Sequence, residues 1–176
     1  MRTSKPVRGM AIGVAAVAMT AGGMLAIAQQ GGHEHQGGQQ DIGMMLINGL
    51  RETPGCLGVD AGDMMSGKNV IVAWFENKAA VEKWYYSTAH MRSMKMFVRG
   101  EVDHEPLEHV TDPSVPIMVI ASLTPSTQEE LAQIGMPISQ IAIELYAPLP
   151  GGAFISSRFA PDSFPVDHMN NLTDGE

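Results

Sequence analysis

Residues 54–98 read PGCLGVDAGDMMSGKNVIVAWFENKAAVEKWYYSTAHMRSMKMFV, and their pattern decides the fold. Pro54 and Gly55 end whatever precedes them, because both residues punctuate regular structure. Leu57 and Val59 then alternate with Gly58 and Asp60, the period-two signature of a half-buried strand. Ser66, Gly67, Lys68 and Asn69 tolerate positive φ and predict a reversal. Residues 70–75, VIVAWF, are rich in β-branched and aromatic side chains and predict a more deeply buried strand. Two strands joined by so short a reversal pair as an antiparallel hairpin. Asn77 is placed to cap a helix. Ala80, Trp84, Ser87, Met91, Met94 and Val98 recur at spacings of three and four and form one apolar stripe. Tyr86, His90, Met94 and Phe97 form an adjoining one. Ser87 or Thr88 also suits a restart after a kink, so one helix or two stays open.

With residues 49–58, GLRETPGCLG, and 69–90, NVIVAWFENKAAVEKWYYSTAH, the chain resembles the antibiotic biosynthesis monooxygenase-like (ABM) family. The matching features are a helix ending in PGCLG, a hairpin, a strand ending in an aromatic residue, and a helix carrying Trp and then His. They cover residues 42–98 and extend to a strand near Val119. The resemblance implies an α+β fold: a ferredoxin-like antiparallel sheet with helices on one face, assembling as a homodimeric α+β barrel.

Before this block, Ile42, Met45, Leu46, Gly49 and Leu50 fall on one helical face, with Asp41 placed as its cap. An ABM domain begins with a strand, and nothing between residues 29 and 41 can be one. Residues 29–40, QQGGHEHQGGQQ, read as a flexible linker. Its His33 and His35 are weak metal candidates, two imidazoles without a third ligand. Arg2, Lys5 and Arg8 precede an uncharged apolar run over residues 10–28 that ends in Ala26-Ile27-Ala28. A basic start, an apolar core and an A-x-A site predict a signal peptide over residues 1–28 and hence export. An uncleaved membrane anchor is the alternative. No later apolar run reaches the about 20 residues a membrane span needs.

After the block, residues 99–116 hold charged and turn residues and predict a loop. Residues 116–123, PIMVIASL, and 138–149, ISQIAIELYAPL, predict two more strands, with a short helix between them capped by Ser126 or Thr127. The segment 138–149 is placed to supply the missing first strand, a permuted arrangement that needs only a local antiparallel connection. A separate hairpin through Pro150, Gly151 and Gly152 is the alternative. The α+β domain is thus expected over residues 41–159, with 160–176 as an irregular tail.

The net charge is −8, from 11 basic and 19 acidic residues. The first 28 residues carry three basic groups and no acid, so the rest is more acidic still. Such a chain repels phosphate backbones, which argues against a nucleic-acid partner. The single cysteine, Cys56, excludes an intrachain disulfide even in an oxidising compartment. No Ser-His-Asp order, phosphate-binding glycine loop or paired-carboxylate motif stands out.

The resemblance implies an oxidoreductase: a cofactor-independent monooxygenase, or a protein that binds a small apolar or aromatic molecule. His90 is the expected catalytic base, since imidazole titrates near neutrality. Trp74, Trp84, Tyr85, Tyr86, Met91 and Met94 are expected to line its pocket. Haem with His90 as axial ligand is an alternative cofactor reading. The departures from haem-degrading relatives, in the Trp84-to-His90 spacing and the missing first strand, argue against haem degradation and leave simple haem binding as the lesser reading. A non-catalytic dimeric module is the third reading, since burial of a sheet face alone explains the aromatic and Met content.

Overall fold

The computed structural model describes residues 37–98, 100 and 105–173. The signal segment, most of the linker, and His33 and His35 lie outside the described residues. Helix α1 spans Gly37–Arg51. It therefore begins one turn earlier than the Asp41 cap implied and takes in the last residues of the expected linker. Gln39 and Gln40 are good helix formers, and propagating a helix already nucleated over residues 42–50 is cheap.

The expected hairpin forms, but a bulge between Cys56 and Gly58 sets Leu57 and Val59 on opposite faces of the sheet rather than on the one face their alternation implied. Strand β1, Cys56–Asp63, pairs antiparallel with β2, Asn69–Phe75. Met64 N–H to the Lys68 carbonyl (2.8 Å) and Gly67 N–H to the Met64 carbonyl (2.8 Å) close the reversal. Asn77 caps the next helix by accepting from Ala80 N–H at 3.0 Å. The chain then makes two helices, α2 over Lys78–Tyr85 and α3 over Thr88–Phe97. Ser87 is the cap that restarts it, its hydroxyl accepting from His90 N–H at 3.2 Å. Residues 105–116 form no helix or strand.

Strand β3, Ile117–Pro125, is followed by α4, Gln128–Ile134, and β4, Ile138–Tyr146. Thr127 and Glu130 complete a reciprocal capping box on α4, satisfying two otherwise orphaned N–H groups. The sheet order is β1-β2-β3-β4 and every pairing is antiparallel. This is an α+β architecture consistent with a ferredoxin-like fold. The segment 138–149, expected to supply the missing first strand, contributes β4 to the same sheet, at its outer edge beside β3. The alternative hairpin through residues 150–152 does not form. The short β5, Ala153–Phe154, instead pairs in parallel with β6, Asn170–Asn171. Among the described residues, no helix is long and apolar enough to cross a membrane.

Two cores sit on the two faces of the sheet. Ile71, Ala73 and Phe75 of β2 pack under the helices with Leu50, Ala80, Val81, Trp84 and Ile117. Val72 and Trp74 face the other way and pack with Phe164. The period of two along β2 makes this division unavoidable. Gly49 lets α1 approach α3, since a Cβ there would lie 2.6 Å from Ala89 Cβ. The second face is covered by the chain's own C-terminal segment. A Cβ on Gly58 would lie 2.4 Å from Pro161 Cγ, so only glycine lets that proline sit on β1. Residues 160–169 are thus irregular in backbone but packed, with Phe164 only 3 % exposed.

Candidate functional site

His90 sits at the junction of α2 and α3. Its Nδ1 is 2.7 Å from the carbonyl oxygen of Tyr85. A carbonyl only accepts, so Nδ1 carries the proton and neutral His90 keeps its lone pair on Nε2. Tyr85 is the last residue of α2, where carbonyls lack helical partners. The imidazole therefore closes the end of one helix, while the His90 backbone N–H donates to the Ser87 cap of the next. The ring stands 4.9 Å from the Tyr85 ring and 5.5 Å, edge-on, from that of Trp84. Ser93 is buried beside it and donates to the His90 carbonyl at 2.7 Å.

Burial of His90 lowers its pKa below the ordinary imidazole value, and the hydrogen bond to Tyr85 only partly opposes this. The folded protein then binds a proton at His90 less readily than the unfolded chain does. Stability from this group is present above the unfolded value of about 6.5 and is lost as pH falls through the lower, folded value. Melting temperature should therefore drop from pH 7.5 to 5.5 more steeply in the parent than in His90→Gln. Equal slopes in the two proteins would show that His90 is not desolvated.

Of the other expected site residues, Trp84 and Tyr85 stand against His90, while Trp74 does not. Trp84 is buried in the helix-side core, and Tyr85 is half-buried against His90. Tyr86 and Met91 are exposed, and Met94 is half-buried on α3. Trp74, 2 % exposed, lies on the opposite face of the sheet, in the second core. Its neighbours Ala73 and Phe75 occupy the helix side, so strand alternation separates the two tryptophans. Among the described residues, no group of three or more His, Cys, Asp or Glu is placed to hold a metal ion.

Two hollows open around Trp74. One, of about 390 Å³, lies over β1 and includes Gly58, Asp60, Ser157, Pro161 and Asp162. The other, of about 250 Å³, lies toward β3 and β4 and includes Met118, Tyr146, Phe164, Val166 and Met169. Both share Trp74, Arg158, Phe159 and Ala160. Neither is lined by His90, so these hollows do not bring it to a seat for haem, the alternative cofactor reading.

The Phe159 ring meets Trp74 edge-on, with centroids 5.0 Å apart, a favoured aromatic geometry. Arg158 holds this wall in place. Its Nε donates to the Ala160 carbonyl at 3.3 Å, and its Nη2 donates to the carbonyls of Pro161 (2.6 Å) and Phe164. Nη1 approaches Met169 Sδ at 3.6 Å. The guanidinium is thus turned onto the protein's own chain. Tyr146 donates to Glu144 at 2.9 Å, and that carboxylate raises the phenol's pKa. The smaller hollow is walled mainly by carbon and sulfur, the lining of a site for an apolar molecule.

Arg158, Phe159 and Phe164 carry this site, and reading residues 160–176 as a plain tail passes over Phe164. A compositional signal was present: Phe154, Phe159 and Phe164 are three of only five phenylalanines. Aromatic density of that kind is unusual in disordered segments. No protein-family model matches the chain, and no curated protein or solved structure matches it.

Proposed function

We propose that this domain binds a small apolar or aromatic molecule in the hollow beside Trp74. The supporting observation is the lining: Trp74, Met118, Phe159, Phe164, Val166 and Met169 converge there, while the one cation is engaged by backbone carbonyls. A ligand gains by desolvation and by packing on aromatic faces, and it meets few polar groups left to satisfy. Binding rather than catalysis is what such a lining supports. In this reading the chain is exported by its first 28 residues and captures its ligand outside the cytoplasm.

A Trp84→Phe chain leaves Trp74 as the only tryptophan. Titration with naphthalene or indole should change its emission saturably. Adding Phe159→Ala should weaken binding several-fold, since Phe159 is 67 % exposed in the free chain and a bound ligand would cover its ring. Emission that never saturates, or that is indifferent to Phe159, would remove the reading.

A second reading, the cofactor-independent monooxygenase, rests on one observation: neutral His90 presents a lone pair on Nε2, with Nδ1–H fixed on Tyr85. The residue would serve as base toward an electron-rich phenol or enol. Oxygen uptake with such a substrate, abolished in a folded His90→Gln chain, would favour it. A Soret shift on adding hemin, absent in His90→Ala, would favour haem ligation instead.

A further inference from the structure

We propose that strand β4 is an interface between two copies of this chain, pairing antiparallel with itself about a two-fold axis at Ile143. Strand β4 is the outer strand of the sheet, nine residues long. Edge strands present a row of unpaired N–H and C=O groups, and natural sequences blunt them with Lys, Pro, bulges or brevity. The sequence ISQIAIELY contains no Lys and no Pro, and its ladder with β3 is regular from Gln140 to Tyr146.

The side chains along β4 add a second argument. Ile141, Ile143 and Leu145 stand opposite Leu123, Ala121 and Val119 of β3. They therefore occupy the face that carries the helices, yet α1 packs on β1 and α2 on β2, while the short α4 packs against β4 and still leaves this row exposed. All three are exposed, Ile143 by 56 %. Three large aliphatic side chains in an i, i+2, i+4 row are a contiguous apolar strip on a strand that already offers hydrogen bonds.

The occupant follows from the strand's symmetry. Centred on Ile143, antiparallel pairing sets Ile143 across from Ile143 of the second copy, and Ile141 across from Leu145. On the other face it sets Ala142 across from Glu144, and Gln140 across from Tyr146. No like charges meet, and apolar faces apolar at every position of the exposed row. A two-fold interface requires this kind of self-complementarity. The second sheet face, through which an α+β barrel dimer would assemble, is already partly covered by Pro161 and Phe164. The net charge of −8 opposes association at long range, so added salt should strengthen the dimer by screening it.

The test is the mass of the whole chain, as recovered from an expressing cell, by light scattering and sedimentation across concentration and salt. A dimer is expected, tighter at higher salt. Ile143→Lys sets two ammonium groups face to face at the axis, and should raise the dissociation constant at least about tenfold while leaving the far-ultraviolet spectrum and Trp74 emission unchanged. In a Cys56→Ser background, Ile143→Cys should cross-link on oxidation. Gln140→Cys should not, because its two copies stand roughly 20 Å apart along the strands. A chain monomeric at every concentration, a dimer insensitive to Ile143→Lys, or cross-linking at position 140 in preference to 143 would each overturn the proposal.

Discussion

Phe75→Ala should lower the free energy of unfolding by about 3–5 kcal/mol, the cost of emptying a fully packed phenylalanine site. Phe75 is 0 % exposed and is the largest side chain buried to that degree. It ends β2 where the strand is held on both sides, opposite Cys56 of β1 and Ile117 of β3. It packs in one cluster with Leu50, Ala80, Val81 and Trp84, which belong to α1 and α2. The hole left by alanine is therefore bounded by strands on two sides and helices above, and cannot collapse without moving a hydrogen-bonded ladder. Domains of this size are stable by about 5–15 kcal/mol, so the change removes a large share of the total. Urea unfolding followed by circular dichroism measures it. A loss below about 1 kcal/mol would mean that the helices do not pack on β2 as described.

Arg158→Met should release residues 159–169 from the sheet while leaving the helix side intact. Methionine keeps an unbranched apolar stem but loses the bonds to the carbonyls of Ala160, Pro161 and Phe164. Hydrogen bonds to a charged donor contribute about 1.5–3 kcal/mol each. Partial solvent access and relaxation of the loop reduce their sum, so a loss of about 2–4 kcal/mol is expected. The effect is local as well as global, because the same guanidinium positions Phe159 on Trp74 and Phe164 in the second core. In a Trp84→Phe background the emission of Trp74 should shift to the red, and a protease should cut within residues 159–169. Apolar probe binding should fall with them. A variant in which Trp74 emission is unmoved would show that Pro161 on Gly58 and Phe164 on Val72 hold the segment without Arg158.

The two effects differ in kind. Phe75 belongs to the part of the fold that short-range pattern made readable: residues 70–75 are apolar throughout and rich in β-branched and aromatic side chains, and a strand of that composition is buried on both faces. Arg158 belongs to a part that the pattern left blank. Its neighbours Pro161 and Asp162 read as irregular tail, and their backbone is irregular. Nothing in that local reading says that the segment lies against β1.

Chain-local chemistry accounts for most of what was legible. Asn77, Ser87 and Thr127 are caps because their side chains reach N–H groups only a few residues away. The hairpin, the break between α2 and α3, and the strands at 117–125 and 138–146 come from the same short-range rules of period, propensity and turn geometry. The sequence by itself also bounds the charge and excludes an intrachain disulfide. The tertiary structure alone decided where Trp74 points relative to Trp84, that His90 stitches two helices without lining either hollow around Trp74, and that the C-terminal segment covers the sheet. These depend on contacts between residues far apart in the chain, such as Pro161 with Gly58 and Phe164 with Val72. Periodicity gives each side chain a face but not the partner that will cover it. That choice is made by which surfaces exclude water best once the sheet and helices have met.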